Sequence, residues 1–342
     1  MTRRGRAWVV GGVLVAALLI LVVISSSIGQ FHTNTADVIA SLRRVLIEGS
    51  EPTANRVDAT LWTIRFPRTI LGILVGAALA VAGTVMQGLF ANPLAEPSII
   101  GVSSGASVGA TIVIVFGISA VYPNALPAAA FAGAVVVTAL VWMFARVGGK
   151  AVVLTLVLTG IAINAIAGAA TSFLIFVGDT SSREQVIFWQ MGTLSSAAWH
   201  EVVIVSIVFT AGFIGSMLIL RQLDVLALGD KSAVASGVNV ERLRVVAIVL
   251  VCLLTGVAVA FAGVIAFVGL IVPHALRLMV GPSHRFLVPL SALGGGLLLG
   301  IADIAARTII PFADLPVGVF TALAGGPLFL VLLRRTLVKT GA

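Results

Sequence analysis

The chain has 342 residues, 59% of them hydrophobic and only 10% charged, with a mean hydropathy of +1.17. A soluble domain carries about 25% charged residues, so this composition excludes a soluble enzyme and a disordered segment. The formal charge of +8 is scattered through short gaps between apolar runs, which argues against a nucleic-acid face, where basic residues cluster, and reads as a membrane-topology code.

A helix needs about 20 apolar residues to cross a bilayer, and at roughly 30 residues per span with its loop the length suggests about ten crossings. Spans are predicted at 7–28, 66–89, 97–117, 125–146, 151–176, 200–220, 244–262, 264–280, 286–306 and 316–334. The first is read as a retained helix rather than a leader, because SSSIGQF lacks a small-x-small cleavage pattern. The polar gap 30–64 carries a helical pattern at Asp37–Leu46. Asn92-Pro93-Leu94-Ala95-Glu96-Pro97 is a sharp break, since each proline removes a donor and restrains its neighbour. The gap 179–199 has apolar patches that suggest a short interfacial helix. The gap 221–244 is polar and patterned as two short helices broken by Gly229 and Gly237.

With the N-terminus inside, 14 Lys and Arg fall on the cytoplasmic side and 7 on the other, which puts both termini in the cytoplasm. The gaps 30–64 and 179–199 are then external and 221–244 is internal. Trp62, Trp189 and Trp199 fall at the outer interface and Trp8 and Trp142 at the inner one, as an aromatic belt. Glycine pairs such as Gly72/Gly76, Gly101/Gly105/Gly109 and Gly296/Gly300 have the small-xxx-small spacing of close helix packing. Residues 80–93 and 260–273 echo each other, each placing a Gly ten residues before a Pro, as duplicated transporter halves can.

Few residues suggest chemistry. Gly148-Gly149-Lys150 lacks the upstream Gly and the following Ser/Thr of a P-loop. Gly101-Val102-Ser103-Ser104-Gly105 fits G-x-S-x-G but opens a membrane helix, without the strand a nucleophile elbow needs. His32, His200, His274 and His284 form no metal-ligand pair and read as solvated or interfacial, with His32 and His200 as candidates for ligand contact at the outer mouth. Cys252, the single cysteine, is read as a small buried hydrophobe. Asp303 and Arg307 share a helix face, either as a structural ion pair or at the outer mouth. Gln87, Asn92 and Asn164 either line a pathway or hydrogen-bond between helices.

Three stretches carry a resemblance. They are Arg65-Phe66-Pro67-Arg68 running into VGAALAVAGTVMQGLFANPLAEPSIIGVSSGASVGA, then LGDKSAVASGVNV, then FAGVIAFVGLIVPHALRLMVGPSHRFLVPLSALGG continued by ADIAAR and LPVGVFTALAGGPLFLVLLRR. Over residues 8–335 the sequence resembles the FecCD-type permeases of ABC importers for iron-siderophores, heme and vitamin B12. The resemblance implies an all-α, polytopic, type II importer bundle of ten helices, one permease domain over 1–342, paired with a second copy or a paralogue. It implies two cytoplasmic ATPase subunits that carry ATP and Mg, no cofactor or metal on this chain, no nucleic acid, and a binding protein outside the cytoplasmic membrane. It assigns Leu228, Gly229, Asp230, Ala233 and Gly237 to ATPase contact, Arg65, Arg68 and Arg307 to binding-protein docking, and Asn92 and Leu94 to a cytoplasmic gate. The chain itself is then a transporter subunit rather than an enzyme. The cargo is expected to be an iron chelate, siderophore or heme, with vitamin B12 as the alternative. The rival is an ion-coupled secondary transporter, for which Asp303 is the main membrane acid.

Overall fold

A computed structural model of the chain describes residues 2–29, 31, 33–147, 150–310 and 313–340. His32 and the Gly148-Gly149 pair lie outside the described residues. Helix α1 (Arg3–Ser27) is followed by the short α2 (Thr35–Leu46) and α3 (Arg56–Thr60), and a π-turn at Leu61–Arg65 leads into α4 (Phe66–Leu89). A 3-10 turn, Pro97–Ile100, precedes α5 (Val102–Val115), and α6 (Ile118–Val121) precedes α7 (Ala125–Phe144). Then come α8 (Val153–Val177), α9 (Thr180–Gln190), α10 (Trp199–Leu218), α11 (Leu220–Leu226) and α12 (Asp230–Ala235). The chain ends with α13 (Val240–Ala262), α14 (Val268–Val280), α15 (His284–Thr308) and α16 (Val317–Thr340). Arg146–Val147 pairs antiparallel with Lys150–Ala151 in the one strand ladder among the described residues.

All ten predicted spans fall on helices, and seven helical segments are long and apolar enough to cross a membrane. The three shorter apolar helices are Val102–Val115, Val268–Val280 and Val317–Val331. Two of these start later than the sequence pattern predicts, at 102 instead of 97 and at 268 instead of 264. The reason is backbone conformation. Gly101 is left-handed at φ +83°, and Phe267 takes φ +69°, which is unusual for a residue with a Cβ. A helix of 13 residues spans only about 20 Å, and the stretch 263–267 precedes it without helical structure.

Helix α4 is the axis of the bundle, with nearly its whole length buried. It packs chiefly against α15 and α13, and also against α14 and α10. A Cβ on Gly76 would lie 2.2 Å from the Gly295 carbonyl oxygen, and one on Gly83 would lie 1.8 Å from that of Gly269. Glycine at these points lets backbone touch backbone, the device that replaces the hydrophobic drive between helices in lipid. By contrast α1, α7, α8 and α10 expose large apolar side chains, Leu19, Leu158 and Ile207 among them.

Three expectations need correction. The 80–93 and 260–273 segments do not share structure: the first is helical to Leu89, whereas the second leaves its helix after Ala262 and carries Pro273 inside α14. Trp189 is no belt residue. It is buried at 8% exposure, and its carbonyl lies 2.1 Å from where a Gly263 Cβ would stand. His274 and His284 are buried rather than solvated, the first in the middle of α14 and the second at the start of α15. Cys252 is buried, as read.

Candidate functional site: an arginine recess, two broken helices and a two-helix loop

The three arginines singled out in the sequence meet at one end of the bundle. The π-turn at Leu61–Arg65 precedes Pro67, which has no N–H for the i−4 carbonyl, and Phe66 N instead bonds Leu61 O. Arg65 and Arg68, three apart, then share a helix face. Arg68 Nε donates to Asp303 Oδ1 at 2.8 Å and its guanidinium reaches Asp314 at 3.0 Å. Arg307 lies 3.4 Å from Asp303 Oδ2, and it donates to the Ile28 and Ser25 carbonyls at 2.8 Å and to Ser25 Oγ at 2.6 Å. Arg65 donates to the Ser26 carbonyl at 2.6 Å, to the Phe31 carbonyl and to Thr33 Oγ1.

These arginines rim a recess of about 290 Å³, walled also by Phe31, Thr60, Ile64 and Asp314. Arg65 is 4% exposed, Arg68 and Arg307 are each 8% exposed, and each already has partners within the chain. What the recess presents outward is the charge left after three guanidiniums meet two carboxylates, with Asp314 as the accessible edge. The i,i+4 pair of Asp303 and Arg307 is present as one arm of this network. Ser25 and Asp314, which complete it, carry no signal in the sequence, because their contacts span 282 and 246 residues.

Inside the bundle two stretches that interrupt the long helices meet. Residues 91–101 leave the end of α4 and run back into the interior, rather than closing a simple turn at its tip. A Cβ on Gly160, well inside α8, would lie 1.8 Å from the Ile99 carbonyl. Asn164 Nδ2 donates to Ser98 O at 3.0 Å, and Ser104 Oγ donates to Asn164 Oδ1 at 2.6 Å. From the other side comes 263–267. The Glu96 carboxylate accepts the Phe267 N–H at 3.2 Å and so caps α14 from a remote segment. Pro273 has no N–H for the Gly269 carbonyl, and Gln87 Nε2 serves that carbonyl and the next, at 3.5 and 3.2 Å. Non-helical backbone at membrane depth requires such internal partners. Asn164 and Gln87 thus hydrogen-bond between segments, the second of their two sequence readings.

At the opposite end, the turn after α4 holds Asn92 and Leu94. Asn92 Oδ1 accepts the Leu94 N–H at 2.9 Å, and Ala91, at φ +46°, turns the chain. The same end carries α11 and α12, with Gly229 and Gly237 at φ +104° and +81°. These conformations disfavour any side chain, and they make the two breaks read in the sequence. Leu228 is 74% exposed on this loop and Val234 63%, two apolar side chains in a polar setting. Ala233 is buried beneath them, and Asp230 pairs with Arg244 at 2.9 Å.

A model of the FecCD transport family matches residues 17–335. The hemin transport system permease protein HmuU of Yersinia pestis is 43% identical over 281 residues, 80% of this chain and 83% of that one. The cobalamin import system permease protein BtuC of Halobacterium salinarum is 45% identical over 279 residues, 81% of this chain and 74% of that one. A solved structure described as an inward-facing metal-chelate type ABC transporter superposes with a TM-score of 0.83 at 32% identity, covering 96% of this chain and 99% of the other. A family match over nearly the whole chain, carried by the same bundle, has one meaning: the chain belongs to the FecCD transport family, the multi-pass membrane permeases of ABC importers.

Proposed function

We propose that the chain is the permease of an ATP-driven importer that moves a metal chelate across the cytoplasmic membrane by alternating access at the interface of two permease copies or paralogues. The carrying observation is its identity, at 43% and 45% over four-fifths of its length, to permeases named for hemin and for cobalamin. Both names describe bulky macrocyclic metal chelates, and a chain with few charges suits a cargo that should not bind too tightly. An iron chelate is the cargo we favour, with cobalamin as the alternative. ATP and Mg belong to separate ATPase subunits.

Both termini face the cytoplasm in this reading, by the positive-inside rule. Two ATPase subunits dock on the loop 221–244, where Leu228, Gly229, Asp230 and Gly237 form the contact surface and buried Ala233 holds its shape. Exposed Leu228 and Val234 support this, since apolar side chains exposed together on a polar loop suit an interaction surface. Asn92 and Leu94 form the cytoplasmic gate. A binding protein docks over the recess of Arg65, Arg68 and Arg307, where an incoming carboxylate competes with Asp314 for Arg68. Asp303 is held by two arginines, which suits a structural anchor better than an ion carrier.

Reconstituted uptake tests the reading. The permease is placed in liposomes with its ATPase and binding protein and offered iron-siderophore, heme and cobalamin with internal ATP. Uptake that needs both partners is expected, and it names the cargo. Uptake driven by a proton or sodium gradient without them overturns the proposal.

A further inference from the structure

Helix α15 begins at His284, and its N-cap residue, Ser283, makes no capping bond of its own. The cap comes from α11 instead. Asp224 Oδ1 accepts the His284 backbone N–H at 2.9 Å and contacts His284 Nδ1 at 2.6 Å, while Ser283 Oγ donates to Oδ2 at 3.3 Å. A carboxylate at a helix N-terminus is favourable through both the free N–H groups and the helix dipole. A cap, however, needs only the backbone contact. The imidazole does something more. It is 1% exposed, and it stands between α11 and the last turn of α4, where a Cβ on Gly88 would lie 2.4 Å from Nε2. Nε2 makes no hydrogen bond among the described residues, so the ring touches α4 by packing alone.

The path continues without a gap. The carbonyls of Gln87 and Gly88 accept the N–H groups of Asn92 and Ala91, at 3.1 and 3.3 Å. The turn that holds Asn92 and Leu94 therefore hangs from the residues the imidazole packs against. A second strand of the same path runs beside it, since Arg277 on α14 reaches Gln87 Oε1 at 3.1 Å. On the other side of the ring, α11 opens the loop that carries Leu228 and α12.

We propose that Asp224 and His284 are positioning residues that transmit movement of the ATPase-docking loop to the gate turn, with the imidazole as the contact between α11 and α4. This rests on the importer reading above. It differs from a plain capping role in one respect. His284→Ala leaves the Asp224 carboxylate and the α15 backbone N–H in place, so a cap alone predicts unchanged coupling, whereas the link predicts its loss.

The test uses intact complexes of permease, ATPase and binding protein in liposomes, and it reads ATP hydrolysed per chelate imported. His284→Ala and Asp224→Ala are each expected to raise that ratio roughly tenfold, within the range of measured coupling effects. The double variant is expected to be no worse than either single one, because the two residues act through one contact. His284→Asn, whose amide can still donate to Asp224, is expected to recover most of the coupling, and it serves where His284→Ala fails to assemble. A direct readout places a cysteine at Leu94 in a Cys252→Ala background. Its maleimide labelling should respond to ATP in the parent and not in His284→Ala. Assembled variants that keep the parent's ratio and labelling response overturn the link alone. An unmodified chain that forms no complex with its ATPase overturns the importer reading and the link with it.

Discussion

The two ends of α15 are held by carboxylates in opposite ways. At its last turn, Asp303 is 2% exposed and meets two arginines, one from its own helix and one from α4. At its first residue, the holding carboxylate belongs to α11, a helix of seven residues, and is 36% exposed on its side chain. The first arrangement is buried and joins two long helices, so it resists displacement even though Asp314 opens at its edge. The second joins a long helix to a short one that also carries a loop with exposed apolar side chains. A lever needs one end that holds and one that can be pulled, and the contrast in burial and in length of the partner helix distinguishes the two.

The largest expected effect breaks the fixed end. Asp303→Ala leaves Arg68 and Arg307 buried without their shared carboxylate, and losing one partner of a buried pair costs about 3–5 kcal/mol. Denaturant titration in detergent should show this as lost stability, and a variant as stable as the parent would mean that Asp314 alone compensates. Next comes the shaft between the ends. Gly76→Leu cannot fit where a Cβ already lies 2.2 Å from the Gly295 carbonyl, and overpacking there is expected to cost about 1–3 kcal/mol. A smaller loss, about 1 kcal/mol, should follow Gln87→Leu, which strips a donor from two carbonyls of α14. Since Gln87 also accepts from Arg277, its loss should disturb the pulled end more than the fixed one. Thermal unfolding followed by fluorescence at each end would register which.

The smallest effect is a pH dependence confined to the pulled end. Burial pushes the Asp224 carboxyl up, but its hydrogen bonds from His284 and Ser283 outweigh that and hold it below the ordinary carboxylate range. The groups facing it are His284, Ser283 and Arg277. A depressed folded pKa means that its stabilisation is present above the ordinary value of about 4 and is lost as pH falls through the lower folded one. Stability from this contact should hold on its carboxyl side down to about pH 4 and then fall. Asp224→Asn should flatten that acid limb; an unchanged limb would assign it to another carboxylate.

What could be read from the sequence follows from which interactions are local. The positions of the seven long apolar helices and the three shorter ones follow from runs of apolar residues, since each run must satisfy its own backbone in lipid. The two short helices of the 221–244 loop follow from Gly229 and Gly237, where the chain must turn left-handed. The i,i+4 pair of Asp303 and Arg307 follows from helical spacing. Tertiary structure alone decided the rest. Glu96 caps a helix 171 residues away, and Asp224 caps one 60 residues away; no periodicity encodes such partners. The sequence pattern marks a break at 92–97 but carries 97–101 and 264–267 into helical spans, because those residues continue the apolar runs. Only packing against α4 and α8 supplies the internal hydrogen bonds that let unwound backbone lie deep in the bundle. Burial of the three arginines was likewise invisible in sequence, because a charge is tolerated inside only when distant carboxylates and carbonyls converge on it.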